Sequence, residues 1–226
     1  MTSRAWGSYF SATSILLLVL SIVAFSDNLF TDIGQPSNGD PKFIIHGLFG
    51  LAWYVLLATQ ANLVRLRNVK LHRKLGVATF IVAIGVTLST LYIFVVLWKG
   101  WGNLAGEARA NRLLLPGYAA CMFLAWKWRS QSDRHKRLVF AGTFLMLGPV
   151  IARTYDPLLV SWMEPLFPVF TARVDEAGFL LYFFGAWIGF FLSLAWYDWK
   201  TLQRIHPVTV AGFAWLVLAW LANVLT

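Results

Sequence analysis

HGLFGLAWYVLLATQANLVRLRNVKLHRKLGVATFIVAIGVTLSTLYIFVVLW, residues 46–98, holds two long apolar runs around one short basic stretch. Neither run alternates apolar and polar residues with period two, and each exceeds the length of a barrel strand. Each is near the roughly 20 residues that an α-helix needs to cross a bilayer. Between them, Arg65, Arg67, Lys70, Arg73 and Lys74 mark a loop on the cytoplasmic side, where Lys and Arg accumulate.

The same reading extends in both directions. It predicts seven helices over residues 9–30, 42–64, 75–98, 111–128, 138–155, 176–197 and 208–225. The composition agrees: of 226 residues 58% are hydrophobic and 13% charged, against about 25% charged in a soluble domain. Twelve Trp suit rings that favour the headgroup level. The expected fold is all-α, a polytopic membrane helix bundle of about seven transmembrane helices forming one domain over residues 1–226. Arg4 and the apolar stretch up to Phe25 resemble a signal peptide, but no small-x-small cleavage site follows, so the segment is read as a retained first helix.

Seven spans with a cytoplasmic N-terminus place thirteen of the nineteen basic residues inside, with Asp133 and Asp198 as the only acids there. The outside keeps six basic residues, Lys42, Lys99, Arg109, Arg112, Arg153 and Arg173, and eight acids. The C-terminus then lies outside, and the expected location is a bacterial inner (plasma) membrane. The net charge of +9 is spread over short loops, which points to anionic lipid headgroups at the cytoplasmic face and not to nucleic acid. Cys121 is the one cysteine; it lies inside an apolar run and reads as a small buried hydrophobe. Residues 156–176, DPLLVSWMEPLFPVFTARVDE, are too apolar for an exposed loop and read as an interfacial or re-entrant segment.

The four histidines are the candidate chemistry. In the second span His46, Trp53 and Gln60 recur every seven residues and form one helix stripe, with Gly50 on the same side. Polar groups at that depth face the bundle interior, as ligands, a proton relay or interhelical hydrogen bonds. His72, His135 and His206 all fall at cytoplasmic helix starts. Together with Asp198 or Asp133 they form a candidate metal or haem site, or else anchor helix ends to headgroups. Near the outer face Arg153 is expected to pair with Asp156, Asp175 or Glu176, or to form an anion or quinone-headgroup site with His46. No HxxxH, HExxH, CxxC, phosphate-loop or nucleophile-elbow motif is present, so the sequence does not decide whether the chain is an enzyme.

Residues 46–76, 134–153 (RHKRLVFAGTFLMLGPVIAR) and 197–212 (YDWKTLQRIHPVTVAG) resemble an uncharacterised group of bacterial multi-pass membrane proteins. That group is distantly similar to the transmembrane di-haem cytochromes b of the ascorbate- and ferric-reductase type. The similarity rests on the helix carrying His46 and Trp53 and on the H-R-x-L-G helix start at His72. It implies electron transport and histidine ligation of haem b. The fourth span has no histidine to answer His46, so one haem is the most this chain holds. Three functions remain open: a redox or haem/metal-associated membrane subunit, an accessory subunit packed against partner membrane proteins or pigments, and an interfacial lipid metallohydrolase.

Overall fold

The computed structural model describes residues 8–31, 34, 36–163 and 172–225. Among the described residues eight longer helices carry the fold: α1 (Tyr9–Ala24), α2 (Pro41–Arg65), α3 (Val69–Val96), α4 (Gly106–Lys127), α5 (Ser132–Leu145), α6 (Gly148–Tyr155), α7 (Ala172–Leu202) and α8 (Pro207–Leu225). There is no strand among the described residues. Local chemistry sets the helix ends. The Asp40 side chain accepts from the Lys42 amide ahead of Pro41, so an N-cap and an N1 proline start α2. At its other end Asn68 N donates to Leu63 O (2.8 Å) and Arg67 N to Val64 O (3.0 Å), a Schellman turn. Arg67 occupies its left-handed position at φ 61°, where glycine is usual.

α5 and α6 are one predicted helix broken in two. It bends by 52° ahead of Gly148–Pro149, because proline cannot donate the amide that a straight helix would use. The start also differs: α5 begins at Ser132, six residues before the expected 138.

α5 is the centre of the molecule. Leu138, Phe140 and the unbroken run from Ala141 to Leu145 are all buried, as expected for a helical stretch that is apolar all round beyond its polar first turns. Around it run α1, α2, α3, α4, α8 and α7, each packed on the next, and α6 packs on α1 and α7. The ring closes where Tyr9 of α1 stacks on Tyr197 of α7 at 4.8 Å and 20°. Phe140 of α5 meets Phe10 of α1, and Phe144 meets Phe191 of α7.

The outward surface is apolar, with exposed Leu48, Ile81, Leu88, Val95, Leu181 and Val224. A soluble bundle would hide such side chains, so this is a membrane protein. Among the described residues α2, α3, residues 175–202 of α7, and α8 are long and apolar enough to cross a membrane, and the bent pair α5–α6, taken on to Met163, is a fifth candidate. α1, with 16 residues, is shorter. α4 has the length, at 22 residues, but carries Glu107, Arg109, Arg112 and Lys127. Part of the apolar segment 157–170 lies outside the described residues; Asp156–Val160 forms a π-helical turn and Ser161–Met163 one more helical turn, with Trp162 exposed.

Candidate functional site

The starts of α1, α3, α5 and α8 and the ends of α2, α4 and α7 meet at one basic end of the bundle. Two polar clusters form there, and they divide the residues expected to act together.

The first joins α2, α3 and α5. The His72 and His135 rings lie 6.3 Å apart, centroid to centroid, at 78°. His135 Nδ1 is 2.9 Å from the Ala125 carbonyl, which only accepts, so Nδ1 carries a proton, and in the neutral ring Nε2 keeps its lone pair. Tying one imidazole N–H to a carbonyl is how metal-ligating histidines are oriented. His72 Nδ1 lies against Gln60 of the α2 stripe. With the carboxamide oxygen towards Gly76 N (3.0 Å) and Thr79 Oγ1 (2.9 Å), Gln60 donates to His72 Nδ1 (2.6 Å). Neutral His72 then holds its proton on Nε2. Turned over, Gln60 donates to Thr79 instead, and its oxygen faces His72 Nδ1. The Gln60 amide therefore sets the tautomer of His72.

The second cluster joins α5, α7 and α8 around a fully buried ion pair. Arg137 Nε donates to Asp198 Oδ1 at 2.6 Å, and both side chains have no exposed surface. Asp198 Oδ2 accepts from the His206 amide (3.0 Å) and the Thr209 hydroxyl (2.5 Å). Arg137 Nη1 also reaches Asp133, at the carbonyl (2.9 Å) and at Oδ1 (3.2 Å). Lys136 binds Asp133 Oδ1 (3.2 Å) and the Tyr197 hydroxyl (3.3 Å).

The expected metal set His72, His135, His206 and Asp198 is therefore not gathered. Asp198 has spent both oxygens on α5 and α8. His206 Nδ1 accepts from Val208 N at 3.2 Å, so its ring caps α8. Burial first, and the Arg137 guanidinium second, hold the His206 imidazole below its ordinary pKa. No group of three or more His, Cys, Asp or Glu side chains that could hold a metal ion occurs among the described residues. The sequence signal for Arg137 is an arginine one turn after Asp133, followed at once by the run that forms the core.

The opposite end holds the other expected residues. His46 Nδ1 donates to Ser89 Oγ (3.1 Å), whose own proton goes to the Val86 carbonyl (3.2 Å), so His46 ties α2 to α3. Trp53 is buried edge-on to Tyr118 of α4, at 5.9 Å. The inward stripe is present, but Gly50 is not its close contact: a Cβ there meets nothing within 4 Å. Gly85 of α3 takes that part, since a Cβ there would run into the Phe49 ring. Arg153 binds Asn28 Oδ1 (2.9 Å) and lies over Phe25 (4.6 Å), and its expected carboxylates do not reach it. Asp156, Asp175 and Glu176 instead line a separate groove of about 320 Å³ with Tyr155.

Class and geometry end together at a multi-pass membrane bundle with a two-imidazole contact at its basic end. Comparison with protein-family models, characterised proteins and solved structures finds no match.

Proposed function

We propose that the chain crosses a bacterial inner membrane seven times, N-terminus inside and C-terminus outside. We propose further that it is a redox or cofactor-associated subunit holding one haem b or a metal ion between His72 and His135. The observation that carries this is the approach of two imidazoles from separate helices to 6.3 Å. The donor chemistry suits such a group at His135, which is already oriented through a carbonyl. Arg73, Lys74 and Arg134 flank the pair in sequence and suit the propionates of a haem better than a bare cation. Bound haem would supply one-electron transfer. The chain's own part is to hold two neutral imidazoles at a fixed separation.

The test is a reduced-minus-oxidised spectrum of the purified protein with elemental analysis. A Soret difference lost in both His72→Ala and His135→Ala is the expected result. A flat spectrum with no bound metal sinks the reading.

The Gln60 orientation that satisfies the most neighbours favours a second reading. It gives His72 an Nε2–H and leaves a neutral His135 an Nε2 lone pair, one donor and one acceptor on neighbouring rings. The pair would then be a step in a proton relay. Imidazole NMR signals titrating in two coupled steps in the metal-free protein support it; independent titrations count against it.

A further inference from the structure

At the end of the bundle away from the histidine pair, α3 and α4 separate and leave a groove of about 400 Å³. Leu91, Phe94, Val95, Trp98, Leu115 and Pro116 line it, with Arg112 as the one charged residue. The groove is apolar, faces outward and has a cation at its edge.

Arg112 is half-buried and wedged between the helices. Nη1 donates to Ala108 O (3.0 Å) and Nη2 to Phe94 O (2.9 Å) in the last turn of α3. The guanidinium carbon lies 4.5 Å from the Phe94 ring and 5.7 Å from the Trp98 ring. None of the ion pairs among the described residues includes Arg112. A guanidinium carries five N–H donors, so carbonyls and rings leave donors unused and the charge uncompensated. In a bilayer protein an arginine at this depth ordinarily meets an anion or reaches the headgroups. Pro116 adds a second polar group in the same stretch, because it has no N–H for the Arg112 carbonyl.

We propose that this groove binds an anionic phospholipid, with the phosphate on Arg112 and one acyl chain along Leu91, Phe94, Leu115 and Pro116. The charge decides the occupant. A neutral quinone leaves the guanidinium uncompensated, whereas a phosphate with two oxygens fits the fork of an arginine. In a zwitterionic lipid the headgroup cation competes for that phosphate and meets the guanidinium as a like charge, so a lipid with net negative charge is favoured. Trp98, partly exposed at the same level, suits the headgroup boundary. A hydroxyl on the headgroup, as in phosphatidylglycerol, has the Arg112 carbonyl to donate to. The proposal rests on the bilayer placement of the chain and is independent of the histidine pair.

The experiment is native mass spectrometry of the delipidated full-length protein, titrated with phosphatidylglycerol or phosphatidylcholine. Wild type is expected to hold the anionic lipid roughly tenfold more tightly. Arg112→Gln should abolish that preference, Arg112→Lys keep part of it, and Lys99→Gln, at a cation outside the groove, leave it intact. Should Arg112→Gln fail to fold, Val95→Trp fills the groove from its lipid-facing side and leaves the cation alone, and it should also lower retention. Equal binding of the two lipids by wild type overturns the proposal, and so does an unchanged preference in Arg112→Gln. Displacement of the lipid by a short-chain quinone, dependent on Arg112, reassigns the groove and overturns it too. The haem spectrum should not respond to any of these variants.

Discussion

Asp198 has no exposed surface, and each of its oxygens is already engaged, by Arg137 on one side and by His206 N and Thr209 on the other. Two charges taken out of water gain little net stability when paired, yet removing one strands the other. Asp198→Ala should therefore destabilise the bundle by about 3–5 kcal/mol, while the double change Arg137→Met with Asp198→Leu should recover most of that loss. Thermal unfolding of the three variants in one detergent checks this. His206 adds a pH dependence. Its folded pKa lies below 6.5 through burial and Arg137, against the opposing pull of Asp198 and Asp133 and with a further push from Arg134. A depressed value means that the unfolded chain binds the proton more readily. The contribution is thus complete above about 6.5 and is lost as pH falls through the folded value. Protonation also removes the Nδ1 lone pair that caps α8 at Val208. His206→Asn, which keeps a capping acceptor without the titration, should flatten the acid limb of the melting profile; an unchanged limb in this variant refutes the assignment. At this scale the sequence puts His72, His135 and His206 near helix starts but does not sort them. Sorting depends on which helix α5 faces, and neighbour choice leaves no trace in spacing.

Helix seams are set by small residues, and the glycines fall into two groups. A Cβ at Gly142 of α5 would lie 2.5 Å from Met122 Cε and 2.8 Å from Cys121 Cβ on α4. The methionine can swing away, but a Cβ fixed to its own backbone cannot. Gly142→Ala should force α4 and α5 apart and cost about 1–3 kcal/mol. Gly185 of α7 meets nothing within 4 Å, so Gly185→Ala should be neutral or gain up to about 1 kcal/mol from helix propensity. Equal thermal shifts for the two would show that the α4–α5 seam is not this tight. The apolar runs revealed the helices within a few residues. They hid two features of α5. Its first turn is polar, carrying Asp133, Arg134, His135, Lys136 and Arg137, so hydropathy placed its start six residues late. Its break at Gly148–Pro149 was visible as a glycine–proline pair inside an apolar run, but only the packed structure shows that the chain bends there by 52° and carries on.

For the whole molecule, the number of crossings turns on α1 and α4. At 1.5 Å per residue the 16 residues of α1 span roughly 24 Å, short of a hydrocarbon core of about 30 Å. The chain continues helically through the turn Asp27–Thr31, which supplies the missing length. α4 has 22 residues, roughly 33 Å, and its arginines lie within two turns of its start, where side chains can reach headgroups. Charge makes the stronger case. If α4 stayed on one side, every later segment would invert, and Arg129, Arg134, Lys136 and Arg137 would face outward together with Lys200 and Arg204. That arrangement opposes the bias that orients membrane helices. Reporter fusions decide between the two. An alkaline-phosphatase reporter, active only outside, should be silent after Asn68, Ser130 and Gln203 and active after Gly102 and Thr226; a fluorescent reporter that folds only inside should give the reverse. Activity after Ser130 would mean that α4 does not cross. The basic end with its histidine pair would then be split between two faces, and the shared depth on which His72 and His135 depend would be lost.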